Sequence, residues 1–368
     1  MTGGFGAWAR LGHDLTGALE RHKGTQVKIG ILTSGGDCPG LNAVIRGAVL
    51  KGDRVYGQEF AGFRYGWRGV VNADIMPLDR HSVRGLSRQG GTILGSSRTN
   101  PFEGDGSGPE NIQRTLDENG IDAIIAIGGE GTLTAARRLT DAGLKIVGVP
   151  KTIDNDLAAT DYSFGFDTAV EIATEAIDRL RTTAESHQRC MIVEVMGRHV
   201  GWIALHSGMA GGAHAILIPE QPQSIDQICE WVESVRTRGR APVIVVSEGF
   251  HLDTMEGAHS HKGLDAFNRP RLGGIGELLA PIIEERTGIE SRATVIGHIQ
   301  RGGVPSAYDR VLATRLGMSA IDAVQNEQWG TMVSLRGTDV VNVSIADATV
   351  GLNTVPQHRY DEAALLFG

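Results

Sequence analysis

Cysteine is scarce in this chain. Cys38, Cys190 and Cys229 stand far apart and form no metal-ligand spacing. Two of them lie in apolar or helical stretches, where a thiol serves packing. Basic charge is also short. The 35 Lys and Arg against 43 Asp and Glu leave a net charge of −8, which argues against nucleic acid or an anionic membrane as main partner. No apolar run approaches the length of a bilayer span. The N-terminus lacks the basic stretch and apolar core of a signal peptide. The expectation from these absences is a soluble, cytoplasmic protein. Two nucleotide signatures are missing as well: the Gly-Lys-Ser/Thr ending of a Walker loop, and the glycine spacing of the dinucleotide fingerprint.

Glycine, by contrast, is abundant: 51 residues among 368, which suggests tight loops near strand ends. A chain of this length exceeds one ordinary core, so two domains are expected. Residues 1–26 read as an extension, loose at Gly3, Gly4 and Gly6, with a short helix from Asp14 to Lys23 and no assigned function.

The stretch around which the rest is organised is Pro150-Lys151-Thr152-Ile153-Asp154-Asn155-Asp156. It follows the apolar run Lys145–Val149, which reads as a buried parallel strand. In α/β sheets ligands bind just beyond the carboxyl ends of strands. The same residues also fit a plain turn whose Asp and Asn bond their own backbone. Two glycine loops stand in equivalent places. Val27–Thr33 reads as a strand running into Ser34–Gly40 and a helix from Leu41 to about Val49. Ile121–Ile127 reads as a strand running into Gly128-Gly129-Glu130-Gly131-Thr132 and a helix from Leu133 to about Thr140. Strand, glycine loop and helix present backbone N–H groups to an anion, although each pattern alone also fits a strand-to-helix turn. Glu130 adds a carboxylate suited to Mg²⁺ or its water. Repetition of the unit implies a parallel sheet. Between the loops, Gly90–Thr99 carries glycines, small hydroxyls and Arg98, which suit a polyphosphate or a solvated surface loop. Further along, Thr168–Glu185 is a helix. Arg189–Val195, Ala213–Ile218, Pro242–Ser247 and Arg292–Ile296 are strands. Arg198, Glu248, His298 and Arg301 all follow strand ends, in a second α/β half.

From about Lys28 onward the chain resembles the 6-phosphofructokinase family. The segments that carry the resemblance are Thr33–Asn42, Gly90–Arg98, Thr152–Asp156, Glu194–Arg198 and Gly297–Gly303, in the family's order and spacing. Gly128–Thr132 together with Lys151 resembles an actinobacterial subgroup of mixed ATP and pyrophosphate enzymes. The resemblance implies two α/β lobes, each a mostly parallel sheet flanked by helices, with the site in the cleft. The expected boundaries are a donor lobe of 27–163 and 278–330, a sugar lobe of 164–277, and a C-terminal segment of 331–368. It implies phosphorylation of fructose 6-phosphate to fructose 1,6-bisphosphate, the committed step of glycolysis. Asp154 matches the general base, and Asp156 a second acid near the metal. Glu130 matches the Mg²⁺ position. Gly36, Arg98, Thr99, Gly129, Glu130, Gly131 and Thr132 match the donor site. Gly36 would give a backbone N–H to the phosphoryl group, and Arg98 would neutralise its charge. Thr152, Ile153, Asp154, Met196, Gly197, Arg198, Glu248, His298, Ile299, Gln300 and Arg301 match sugar-phosphate positions. Arg189 and Arg292 match residues that reach a neighbouring subunit's site, so a homo-oligomer, dimer or tetramer, is expected.

Gly131 and Lys151 bear on the donor in opposite senses. Pyrophosphate-using relatives carry Asp where Gly131 stands, and Gly131 leaves room for the α-phosphate of ATP. Lys151 occurs in pyrophosphate enzymes, where the usual ATP enzymes have Gly. A carboxylate excludes by bulk and repulsion, so Gly131 carries more weight and ATP is the expected donor; pyrophosphate is the alternative. A non-catalytic sugar-phosphate-binding paralogue would be expected to lose Asp154 or the glycine loops, and both are kept. Arg46 and Arg181 match an allosteric effector site. Leu50 stands where one of its arginines would be, and Arg238 and Arg240 are candidates to replace its lysines.

Overall fold

The computed structural model describes residues 27–255, 257 and 272–368. The Asp14–Lys23 helix lies outside them. The described residues fall into two compact units, those within 1–150 and 310–348 and those within 151–309 and 349–368.

In the first unit, β1 (Lys28–Thr33) leads to α1 (Leu41–Lys51), β2 (Glu59–Phe63), α2 (Trp67–Val71), β3 (Ile75–Leu78) and α3 (Pro109–Glu118). β4 (Ala123–Gly128), α4 (Glu130–Asp141) and β5 (Ile146–Pro150) follow. β4 reads Ala-Ile-Ile-Ala-Ile-Gly and is buried throughout, as a strand covered on both faces must be. β5 runs one residue beyond the expected strand, because Pro150 still pairs in register with Gly128; a strand end tolerates a residue without an N–H.

The second unit begins with the Lys151–Ser163 loop, then α5 (Phe166–His187), β6 (Cys190–Val195), α6 (Trp202–Ala210), β7 (Ala215–Leu217) and α7 (Ile225–Thr237). β8 (Val243–Ser247), α8 (Ile275–Thr287) and β9 (Ser291–Val295) complete its sheet, in the order β7-β8-β6-β9. All three pairings there are parallel. The chain then forms α9 (Ala307–Gln325), β10 (Thr331–Arg336), β11 (Asp339–Ser344), α10 (Ile345–Ala348) and α11 (Gln357–Ala364). β10 and β11 join the first sheet, whose order is β11-β10-β5-β4-β1-β2-β3. That sheet is parallel except at its margins, where β2–β3 and β10–β11 are antiparallel. Close helix packing holds α9 from Arg310 onward in the first unit: a Cβ on Gly317 would meet the Val44 carbonyl oxygen at 2.2 Å, and one on Gly47 the Thr314 oxygen at 2.6 Å.

The boundaries therefore differ from the lobes of 27–163 with 278–330, and 164–277, that the resemblance implied. Residues 278–309 belong to the second unit because β9 pairs with β6 from Cys190↔Ser291 to Glu194↔Val295. The Asp154 loop belongs there too, since Lys151 bridges to Phe164. The 331–368 segment is not one piece. Its strands complete the first sheet, while 349–368 packs in the second unit, where Tyr360 donates its hydroxyl to the Ile216 carbonyl at 3.1 Å. Among the described residues, no helix is long and apolar enough to cross a membrane.

Candidate active site

In the first unit two loops distant in sequence are tied together. The Gly35 N–H donates to the Ser97 carbonyl at 2.9 Å, Ser34 Oγ donates to the same oxygen at 3.0 Å, and Ser96 Oγ donates to the Gly35 carbonyl at 2.5 Å. Asn42, in the first turn of α1, accepts the Ile93 N–H at 2.9 Å and donates to the Gln89 carbonyl at 3.2 Å. Gly36, Arg98 and Thr99 are thus held on one joined platform, with Arg98 exposed at its surface. Helix α1 starts at Gly40, at φ 108° and with no side-chain cap, which leaves its first N–H groups without a side-chain acceptor of their own.

The second glycine loop is shorter than the sequence suggests. Helix α4 begins at Glu130, so Glu130, Gly131 and Thr132 form its first turn rather than the preceding loop. The reason lies in packing: a Cβ on Gly128 would meet the Thr132 side chain at 2.3 Å, so the strand turns straight into the helix. Gly129 precedes it in extended geometry and supplies no side-chain cap. The result is a helix N-terminus whose N–H groups and dipole favour an anion. Glu130 is exposed there, and Gly131 has open space where a side chain would be: a Cβ would meet no atom within 4 Å.

In the second unit, the Asp154 loop is a turn built by Asn155. This residue is buried at φ 55°. Its Oδ1 accepts the Ser163 N–H at 2.9 Å, and its Nδ2 donates to the Asp161 carbonyl at 3.3 Å. Thr152 Oγ1 accepts the Asp154 N–H at 3.1 Å. The Ile153 side chain is 1% exposed and belongs to the core, while Lys151 is 4% exposed. Asp154 is half-buried, and its Oδ1 is withdrawn from solvent with no hydrogen-bond partner. Burial and the Asp156 carboxylate push the Asp154 carboxyl up from an ordinary 3.8 to about 7. Glu248 adds to the rise, whereas Arg301 and Arg198 hold it back. Residues from four segments of the sequence therefore act on one carboxyl group, which supports a functional assignment.

Those segments are locked by short-range chemistry. Gly197 sits at φ 131°, and a Cβ there would meet Ser247 Oγ at 2.5 Å. The Gly197 carbonyl accepts Ser247 Oγ at 2.6 Å and the Gly249 N–H at 3.1 Å. The Arg198 and Glu248 loops thereby hold each other. Burial pushes the Glu248 carboxyl up, and Arg198 pulls it down. Gln300, fully buried, accepts the Met196 N–H at 2.7 Å and joins the Arg301 loop to the Arg198 loop, while its Nε2 has no hydrogen-bond partner. His298 and Ile299, by contrast, are exposed. Arg292 lies on β9, Arg189 lies just before β6 rather than within it, and both pair with Glu290 of their own chain. Glu194, quoted with the Arg198 segment, is a helix anchor: its carboxylate accepts the Gly274 N–H at 2.9 Å and the Gly276 N–H at 2.9 Å, at the start of α8. A cap contributed by a residue 80 positions away carries no local signature.

Of the effector candidates, Arg181, Arg238 and Arg240 converge near His214. Burial and these three arginines depress its imidazole to about 4. Arg181 also donates to the Gly211 and Gly212 carbonyls. No group of three or more His, Cys, Asp or Glu could hold a metal among the described residues. A single carboxylate such as Glu130 fits Mg²⁺ that arrives with a polyphosphate, since this ion keeps several waters and takes one or two carboxylates.

Comparison with known proteins identifies the family. A family model described as Phosphofructokinase matches residues 28–324. A pyrophosphate–fructose 6-phosphate 1-phosphotransferase of Amycolatopsis methanolica is 60% identical over 342 residues, covering 93% of this chain and 100% of its own. ATP-dependent 6-phosphofructokinase 3 of Streptomyces coelicolor is 55% identical over 338 residues, covering 92% and 99%. Among solved structures, the T-state phosphofructokinase of Pichia pastoris matches with a TM-score of 0.78 at 31% identity, over 94% of this chain and 37% of that longer one. With ATP-dependent and pyrophosphate-dependent enzymes both among its near relatives, the chain belongs to the phosphofructokinase family.

Proposed function

We propose that the protein transfers the terminal phosphoryl group of ATP to the primary hydroxyl of fructose 6-phosphate. The observation that carries this reading is Asp154, a carboxyl group near pKa 7 with an unpartnered oxygen, set among Asp156, Glu248, Arg198 and Arg301. A base for a sugar hydroxyl needs to be ionised near neutral pH yet basic enough to take the proton. As the hydroxyl oxygen forms its bond to phosphorus, its proton passes to Asp154 and the nucleoside diphosphate leaves. Arg198 and Arg301 neutralise phosphate charge on the sugar side. On the donor side, the joined loops at Gly36 and Arg98 and the α4 N-terminus with Gly129–Thr132 would hold the polyphosphate through N–H groups and fixed charge. Glu130 would hold Mg²⁺, which when bound screens the charge on the phosphates.

The open space at Gly131 supports ATP as donor. A second reading, pyrophosphate, is favoured by Lys151 and by the name of the 60%-identical relative. A coupled assay for fructose 1,6-bisphosphate, run with Mg²⁺ and each donor in turn, separates them. Turnover is expected with ATP. Turnover with pyrophosphate alone would replace this reading by the second, and turnover with neither would favour a sugar-phosphate-binding protein without catalysis.

Two further features belong to the same proposal. Val295, Ile299 and Val304, at the end of β9 and just after it, are 41%, 69% and 59% exposed, apolar side chains of the kind that copies of a chain cover. Light scattering of the purified protein is expected to give a multiple of 39.2 kDa, and a monomer at assay concentration would sink the assignment of Arg189 and Arg292 to a neighbouring site. The cationic cluster of Arg181, Arg238 and Arg240 supports an anionic allosteric effector, which the same assay can read with added nucleoside diphosphate.

A further inference from the structure

We propose that residues 352–355, beyond the segment matched to the family, form a strap that positions the Asp154 loop, with Asn353 as its positioning residue. The inference rests on Asp154 acting as the base. Leu352 makes an antiparallel bridge to Leu157. The next residue, Asn353, donates its backbone N–H to the Asp156 carbonyl at 3.0 Å and its side-chain Nδ2 to the Asn155 carbonyl at 3.0 Å. One residue thus pins two consecutive carbonyls of the turn that carries both aspartates. Its own carbonyl accepts the indole N–H of Trp202 at 2.6 Å. Two residues on, the Val355 N–H donates to Glu220 Oε1 at 2.9 Å, and the Glu220 carboxylate also accepts the Gly201 N–H at 3.0 Å. Gly201 and Trp202 close the loop that holds Arg198. The strap therefore ties the base loop and the Arg198 loop to one extended segment.

The chemistry selects asparagine at this position. Holding the Asn155 carbonyl requires a short side chain with a donor. Aspartate has the same shape but no N–H, and its carboxylate would face a carbonyl oxygen. The turn itself rests on Asn155 in the left-handed region, which asparagine tolerates when its side chain bonds nearby backbone, as this one does to Ser163 and Asp161. Small errors in the placement of a base are costly to rate.

The test compares Asn353→Asp and Asn353→Gln with the unaltered protein. Asn353→Asp is expected to lower kcat by about 10–100-fold, with KM for fructose 6-phosphate changed much less. Asn353→Gln, which keeps the donor, should recover part of the rate. Hydrogen exchange read by mass spectrometry should show faster exchange over 152–164 in Asn353→Asp, with the strands of both sheets unchanged. This last readout stands whether or not the protein turns over either donor, so a failure of the functional reading is distinguishable from a failure of the strap. Unchanged exchange over 152–164 would overturn the proposal. So would a general loss of stability with kcat per folded molecule intact.

Discussion

Replacing Asp154 with Asn is expected to lower kcat by roughly 10²–10⁴-fold, the usual contribution of a positioned general base. Asn keeps the shape of the side chain, so KM values should change only a few-fold. The pH dependence makes the assignment specific. Below about pH 7 the Asp154 carboxyl holds its proton and cannot take one from the sugar, so kcat/KM of the unaltered enzyme should fall as pH decreases through that value. In Asp154→Asn the limb should vanish along with most of the rate. Stability should move the other way. The folded carboxyl titrates near 7 against an ordinary 3.8, so between these values the folded state holds a proton that the unfolded chain has released. Stability from this group is then present at low pH and is lost as pH rises through 7. Asn, a neutral mimic of the protonated acid, avoids that loss. The variant should melt a few degrees above the unaltered protein at pH 8, with the gap closed below pH 4. Near-normal activity in the variant, or a lower melting temperature at pH 8, would remove Asp154 from its assigned role.

Gly131→Asp carries the second large effect, and here the fold should tolerate the change. Gly131 is the second residue of α4, and no atom lies within 4 Å of a Cβ placed on it. A carboxylate in the first turn of a helix is also favoured by the dipole. The consequence should therefore fall on the donor. Two unit charges about 4 Å apart repel by ~4 kcal/mol at an effective dielectric of ~20, which is about a thousandfold in rate or affinity. In the proposed ATP site, a carboxylate at 131 would meet the α-phosphate, whereas pyrophosphate has no group at that place. The expected result is a fall of roughly 10²–10³-fold in kcat/KM with ATP, with activity towards pyrophosphate kept or raised. Equal loss with both donors would indicate general damage to the α4 N-terminus. No loss with ATP would mean that Gly131 does not govern donor choice, and attention would move to Lys151.

Much of the protein was legible before any coordinates. The apolar runs at 121–127, 145–149, 189–195 and 242–247 announced strands close to those observed, and the glycine and carboxylate loops after them announced a candidate site, because both signals are local. Asp154, Arg198, Glu248 and Arg301 stood out for the same reason: each follows a strand end. What the sequence could not determine depends on partners far along the chain. Strand order placed β9 beside β6 and carried 278–309 into the second unit, since parallel pairing is set by how helices cover a sheet and not by the strand's own residues. The start of α4 at Glu130 followed from Thr132 packing on Gly128. Glu194 looked like part of a ligand motif and proved to anchor a helix 80 residues away. Asn353 looked like nothing at all, because its meaning lies in two carbonyls 198 and 197 residues upstream that only the folded backbone brings within 3.0 Å. The sequence by itself determined which groups are available and at which strand ends. Tertiary structure alone decided which of them share a field, because burial and Coulomb interaction depend on distance in space, and that distance raises the Asp154 carboxyl to about 7.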